Sequence, residues 1–486
     1  ILNWSRNRMM GVIHLYTTMV LSFIDISRIV SLDQKVSPLL KINQREIEEL
    51  LITSNSKLDA IVHYAYNLAD KVERSRTHKY TSYLDSAIVI MERAVELNDQ
   101  NIDYKIFLSR LYLWQGNLGR VIELCDEVLE LRGFDFLALH FRGISLLQDN
   151  KFVEGIRDLE CLNNIDPHHG LLAWNLANAY FHNNDFEDGW RVFNKANEVI
   201  GIDYSEIPRW KGETLIGKTI VLTQYNSSGG GDDIMFAHMI PDVIEAAENC
   251  YIEVDERSAP LYLRSFKDAN IFLYGQPNWN SMDKVDFQVM MPQLGSILRK
   301  TTDDFGSTSG YLEADNKKVK FWKSQLNDIA GEKLKVGVCW RSMISIGLTG
   351  SFSSKIEDWG PILSTPGIAF FDLQYDDSEE ERRTAETLYG IKIHRFHNID
   401  MMTDFDNLAA LCLSLDLVVS MVTTLSIIAN SVGATVWELR PQSTALCMSG
   451  LPWFPKRKTY QRDWREPWSN TIEQVSKDLE YISSNE

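Results

Sequence analysis

The chain has little of several things that would otherwise direct its interpretation. Only 13 of its 486 residues are proline, and 44% are apolar, which excludes wholesale disorder and leaves ample material for large cores. Six cysteines, Cys125, Cys161, Cys250, Cys339, Cys412 and Cys447, show no short repeated spacing. They form neither a zinc-ligand pattern nor a disulfide framework, so a reducing compartment is expected. Basic residues are scarce, 49 Lys and Arg against 67 Asp and Glu, for a formal charge of -18. Such a surface repels a polyanion. The densest basic run, Lys317, Lys318, Lys320 and Lys323, alternates with apolar residues as the wet face of a helix does, and nucleic acid is not an expected partner. The one apolar stretch that invites a membrane reading, "MMGVIHLYTTMVLSFIDISRIV", is interrupted by His14, Asp25 and Ser27 and has no cleavage-like tail. It reads as a buried helix, so no integral membrane segment and a cytoplasmic location are expected. The chain begins with Ile1, which leaves open a segment upstream.

What is present divides in two. The length implies about two to four domains. From Asn101, three consecutive windows of 34 residues superimpose, beginning "NIDYKIFLSRLYLWQGNLGR", "DFLALHFRGISLLQDNKFVE" and "HGLLAWNLANAYFHNNDFED". Turns between paired helices fall at Gly116-Asn117, Asn150-Lys151 and Asn184-Asp185. Compact residues recur at Val121, Gly155 and Gly189, and larger ones at Cys125, Leu159 and Phe193. That period resembles tetratricopeptide repeats, whose helix pairs must stack to bury their apolar faces. A less regular unit, "LDSAIVIMERAVELND", holds Ala87, Met91 and Ala94 in the same register. The expected solenoid offers a concave groove from the first helix of each pair, which carries Arg110, Tyr112, His140, Arg142, Asn175, Asn178 and Tyr180. The groove either binds a polypeptide or is only the face of a scaffold.

After "YSEIPRWKGETLIGK" the periodicity changes. Short apolar runs, "TIVLTQY", "CYIEVD", "NIFLYG" and "VDFQVMM", predict strands of a mainly parallel sheet, and the helix "DIMFAHMIPDVIEAAEN" is expected to kink or break at Pro241. A second alternating region begins at "LKVGVCW" and continues with "IAFFDLQY", "KIHRF", "LDLVVSM" and "TVWELR". The expected division is a helical region over 1–70, repeats over 71–212, a first Rossmann-like domain over 213–330 and a second over 331–486. Two adjacent sheets make a cleft, the usual place for a small ligand.

Candidate site residues cluster at strand ends, the ligand-binding edge of open parallel sheets. In "SSGGGDD", Gly229, Gly230 and Gly231 expose backbone amides where a strand enters a helix. Asp232 and Asp233 follow; either carboxylate can act as general base toward an acceptor hydroxyl, or Asp232 can cap the helix while Asp233 favours its dipole. The stretch lacks the spacing of a dinucleotide fingerprint and the closing Lys-Ser/Thr of a phosphate-binding loop. Arg341 in "CWRS" is placed to meet a phosphate or to lie on the surface. Ser420, Thr423 and Thr424 either hold a diphosphate at a helix start or only cap that helix. Gln374, Asp406-Asn407 and Glu438 mark further strand or helix borders, with Glu438 suited to a sugar hydroxyl. No metal-binding constellation is present in the pattern.

Almost the whole chain resembles bacterial tetratricopeptide-repeat proteins with a glycosyltransferase-like carboxyl-terminal region. The resemblance is carried by "PRWKGETLIGKTI", "GDDIMFAHMIPDVIEAA", "DERSAPLYLRSF", "VGVCWRS", "DLQYDD", "DFDNLAALCLSLDLVVS" and "LPWFPKRKTYQRDW". The family looks related to heptosyltransferases. It implies a B-type glycosyltransferase arrangement, with acceptor at the first sheet domain and nucleotide sugar, a substrate and not a cofactor, mainly at the second. It also implies inversion at the anomeric carbon, no essential metal, and a protein or glycan acceptor. Two departures matter. The family's "GLGD"-like loop is lengthened here to "SSGGGD". Its "SVDTAVAHLAGALG" becomes "SMVTTLSIIANSVG", which puts Val422, Ile427 and Asn430 where the family has Asp, His and Gly. An apolar side chain replaces neither polar residue's hydrogen bonds. Two functions therefore remain open: sugar transfer with Asp232 as preferred base and Arg341, Thr423 and Thr424 on the leaving diphosphate, or a catalytically degraded scaffold that binds a protein through its repeats. Oligomeric state has no signature in the sequence.

Overall fold

The computed structural model describes residues 58–75, 81–197, 206–224, 230–276, 284–307, 310–342, 353–442, 450–463 and 466–485. The apolar segment 9–30, Gly229 and Cys447 lie outside them.

Eight helices come first: α1 (Leu58–Ser75), α2 (Thr81–Leu97), α3 (Ile102–Gln115), α4 (Leu118–Arg132), α5 (Phe136–Gln148), α6 (Phe152–Ile165), α7 (Gly170–His182) and α8 (Phe186–Asn197). The 34-residue period has a backbone cause. Gly116, Asn150 and Asn184, one per repeat, take φ of 87°, 61° and 59°, the left-handed region that glycine and asparagine enter most readily. The residue after each then donates its amide back across the turn: Asn117 to Tyr112 O, Lys151 to Leu146 O and Asp185 to Tyr180 O, all at 2.9 Å. The compact positions follow from packing. A methyl group on Gly189 would meet the Phe181 ring at 2.5 Å.

Most of the candidate groove residues serve the solenoid itself. Tyr112, His140, Asn175, Asn178 and Tyr180 are buried. Tyr112 and Tyr180, equivalent positions two repeats apart, donate to Glu92 and Glu160 of the preceding helix. Arg142 bridges Asp126 and Asp158. Arg110 lies over the Trp114 ring, 4.5 Å from its centroid, and is half-buried.

Two parallel sheets follow. The first holds β1 (Thr219–Thr223), β2 (Asn249–Val254), β3 (Asn270–Leu273) and β4 (Phe287–Met290) in the order β3-β2-β1-β4. The second holds β5 (Leu334–Cys339), β6 (Ile368–Asp372), β7 (Ile393–His394), β8 (Leu417–Met421), β9 (Val436–Pro441) and β10 (Lys458–Arg462) in the order β10-β9-β8-β5-β6-β7. In each, the chain adds strands to one side of the first strand and then crosses to the other, the Rossmann pattern. Between β1 and β2 the anticipated single helix divides into α9 (Gly231–Phe236), a 3-10 turn over Ala237–Met239, and α10 (Ile240–Ala246), with Pro241 in the first turn of α10. Proline fits there because its missing N–H is one a helix start leaves unpaired.

One continuous apolar core joins the later repeats, the first lobe and the facing layer of the second. At the repeat–lobe junction the Trp190 indole donates to Arg299 O at 2.8 Å, and a methyl group on Gly295 would strike the Trp190 ring at 2.3 Å. The architecture is thus a tetratricopeptide-like solenoid followed by two Rossmann-like lobes in the B-type arrangement. Among the described residues, no helix is long and apolar enough to cross a membrane.

Candidate functional site

In a doubly wound sheet the ligand crevice opens at the carboxyl ends of the two strands where the order reverses. Here those pairs are β1/β4 and β5/β8. Helix α9 leaves β1, and the helix Thr424–Ser431 leaves β8. The two helices meet across the seam between the lobes: a methyl group on Gly231 would lie 3.0 Å from Thr424 Oγ1 and 3.3 Å from Ile427 Cδ1. Sequence positions almost two hundred residues apart are therefore neighbours, and a side chain at Gly231 would force Thr424 or Ile427 to shift by a few tenths of an ångström. Gly230, at φ 68°, begins the helix from the left-handed region.

The paired carboxylates differ in environment. Asp233 is buried, its Oδ2 accepting from the Gln224 amide and its backbone oxygen from the Tyr262 hydroxyl. Asp232 is partly exposed. Of the two, only Asp232 presents a surface to a ligand.

The donor-side candidates divide similarly. Thr424 is partly exposed, whereas Thr423 is buried and caps the helix Thr424–Ser431, its Oγ1 accepting from Ser426 N at 3.4 Å. Ser420 is fully buried and donates to Met421 O at 2.7 Å. Gln374 closes the turn after β5, with Oε1 accepting from Arg341 N and Nε2 donating to Arg341 O, both at 3.1 Å. The Arg341 guanidinium is engaged by carboxylates of its own lobe: Nη1 donates to Asp376 at 2.6 Å, and Nε donates to Glu381 at 2.8 Å. Burial alone would lower its pKa, but the bonds to Glu381 and Asp376 outweigh that and raise it. Glu438 is buried, with Oε2 accepting from Ser426 Oγ at 3.0 Å and Oε1 3.3 Å from Arg457 Nη1. Asp406 is held by cations of the first lobe and of the helix joining the lobes, and Asn407 donates to Asp404 Oδ2 at 2.6 Å.

The departures from the family pattern have structural consequences. Val422 is partly exposed beside Thr423, Ile427 is buried in the shared core, and Asn430 turns back to donate to Ser426 O at 2.7 Å. Cys339, at the end of β5, sits in the second switch point, where burial pushes its thiol up to about 12. It is inert as a nucleophile there.

One residue absent from the sequence-derived site is placed at the seam. Arg257, just after β2, extends its guanidinium over the ring of Phe405, 4.8 Å from the centroid, with Gly230 alongside. The "DERS" motif was the only signal in the sequence. A cavity of about 200 Å³ lies elsewhere, beside β7 and lined by Arg382, Lys392, His394, Arg395 and Phe396 among others. Edge strand β7 is separated from the β5/β8 switch point by β6, and Arg382, Lys392 and Arg395 are paired with Glu386 or Asp372. Among the described residues no group of three or more His, Cys, Asp or Glu side chains is arranged to hold a metal ion.

No protein-family model matches the chain. Protein FlbA of Caulobacter vibrioides is 31% identical over 284 residues, covering 55% of this chain and 47% of that protein. The chain thus spans about half the length of this curated relative. Among solved structures, a mutant O-GlcNAc transferase of Thermobaculum terrenum aligns over 89% of this chain and 95% of its own, at 13% identity and a TM-score of 0.30. A MamA structure aligns over 34% of this chain and 86% of its own, at 18% identity and a TM-score of 0.26.

Proposed function

We propose that the chain is a glycosyltransferase that moves a sugar from a nucleotide-sugar donor to a hydroxyl of a protein or glycan, with inversion. The observation that carries this reading is the meeting of the two sheets' crossover points at Gly231 and Thr424. Each is where an open parallel sheet takes a ligand, and on this reading the partly exposed Asp232 carboxylate and Thr424 hydroxyl face one ligand from the two lobes. In this reading Asp232 takes the proton of the acceptor hydroxyl as its oxygen bonds to the anomeric carbon. The bond from that carbon to the diphosphate oxygen breaks, and the nucleoside diphosphate leaves with the electron pair. The Thr424 hydroxyl stabilises the departing charge.

The test is release of nucleoside diphosphate from a panel of nucleotide sugars, followed with purified protein. Asp232→Asn should lower turnover by about 10²–10⁴-fold, the range for a lost general base, and leave donor affinity within about twofold. Turnover at the parental rate in that variant rules out Asp232 as the base.

A second reading, a transferase-like scaffold that binds a protein through its repeats, is favoured by two features. Ile427 packs on Gly231 where the family has a histidine, and Arg341 is committed to Asp376 and Glu381. That reading requires that no nucleotide or nucleotide sugar bind.

A further inference from the structure

Arg341 was the cation offered to the donor phosphates by its position, and its three guanidinium nitrogens are all engaged on its own lobe, Nε and Nη2 by Glu381 and Nη1 by Asp376. A diphosphate leaving group still needs a countercharge. Arg257 is differently placed. Its loop leaves β2, the neighbour of β1, so it emerges on the same carboxyl edge as α9. Asp255 Oδ1 accepts from both Arg257 N and Nε at 2.8 Å, and Oδ2 accepts from Nη2 at 3.2 Å. This grip fixes the guanidinium plane from one side and leaves Nη1, among the described residues, without an acceptor.

The other lobe supplies the second wall. Phe405, the first residue of the helix Phe405–Ser414, presents its ring face to the guanidinium. A methyl group on Gly230 would lie 3.0 Å from Arg257 Nη2 and 3.1 Å from Phe405 Cε2, so Gly230 lies directly beside both. The Arg257 side chain keeps 29% of its surface exposed, against 11% for Arg341.

We propose that Arg257, contributed by the first lobe, is the residue that binds the donor's diphosphate, with Asp255 and Phe405 as positioning residues. The inference rests on the glycosyltransferase reading of the same seam and assigns the phosphate contact within it. A guanidinium held in plane by a carboxylate and an aromatic face presents its remaining N–H groups in fixed directions, which suits the paired oxygens of a phosphate.

The experiment is calorimetric titration of the full chain with uridine, cytidine, adenosine and guanosine diphosphates and with inorganic pyrophosphate. Arg257→Gln is expected to weaken diphosphate binding about tenfold or more, the effect of losing a charge-assisted hydrogen bond, and Arg257→Lys to weaken it less. Phe405→Leu, which removes the ring that positions the guanidinium but keeps the cation, is expected to weaken binding by a smaller factor than Arg257→Gln, because a cation–π contact at a part-exposed site is weak. Parental affinity in Arg257→Gln overturns the assignment while the glycosyltransferase reading stands. Failure of the unsubstituted protein to bind any of the five probes overturns both.

Discussion

Arg264 of the first lobe places both of its terminal guanidinium nitrogens 2.9 Å from one carboxylate oxygen of Asp406 in the second lobe. The other carboxylate oxygen accepts from Lys318 at 2.8 Å, on the helix Asn316–Ala330 that joins the lobes. One buried acid thus ties three segments. Asp406→Asn keeps the shape and removes the charge, leaving two cations facing an amide. The loss for a fully buried pair would be about 3–5 kcal/mol, and the partial exposure of Arg264 and Lys318 reduces the expectation to about 2 kcal/mol. Urea denaturation measures it directly, and an unchanged midpoint would contradict the role given to Asp406.

Arg341 is predicted to matter for folding and not for phosphate binding. Arg341→Met should leave Asp376 and Glu381 facing an apolar side chain and destabilise the protein by about 2–3 kcal/mol, since all three groups are at least partly buried. The protein that remains folded should bind nucleoside diphosphate as the parent does. A stable variant that has lost that affinity would return the phosphate contact to Arg341.

His140 should make the solenoid acid-sensitive. Its ring is buried among Phe136, Phe141 and His169, and burial, then His169, holds its pKa down to about 3. The unfolded chain, with an ordinary imidazole near 6.5, therefore binds the extra proton first as pH falls. Stability contributed by the neutral ring is complete above about pH 6.5 and is lost progressively below it, at about 1.4 kcal/mol per unit. Between pH 7 and pH 5 the parent should lose about 2 kcal/mol that His140→Phe does not lose. The substitution is conservative here because the equivalent positions one repeat away are Ile106 and Trp174. Equal pH slopes for the two proteins would refute this.

Gly231→Ala should be destabilising at the seam. Its methyl would lie 3.0 Å from Thr424 Oγ1, so the lobes must shift or the threonine must turn, at about 1–3 kcal/mol. Adding Thr424→Ala removes that atom, and the double variant should be more stable than the two single losses sum to. Strict additivity in the cycle would mean that the two residues do not touch.

The strands were legible because parallel strands covered on both faces read as continuous apolar runs: "TIVLT", "FQVM" and "LVVSM" need no partner to be recognised. Strand β10 escaped notice for the opposite reason. Its "KTYQR" lies at the sheet edge, pairs only with β9, and buries just Tyr460 and Arg462, so no periodic signal stands out. The site was half legible. Glycines, aspartates and threonines at strand ends announce a seam, because strand order and chemistry are local. Whether Arg341 faces a ligand or Glu381 depends on a helix forty residues on. The position of Arg257 depends on where the other lobe puts Phe405. Both are settled by packing between distant segments, which no local pattern encodes.

The junction at Trp190 bears on how an acceptor would be handled. With its indole bonded to Arg299 and its ring wedged on Gly295, the last repeat cannot swing on the first lobe as a tether would. A polypeptide lodged along the repeats would then enter the chemistry at a set offset from its anchor. On the proposed transferase reading, the hydroxyl reached would be set by its residue count from the point of capture.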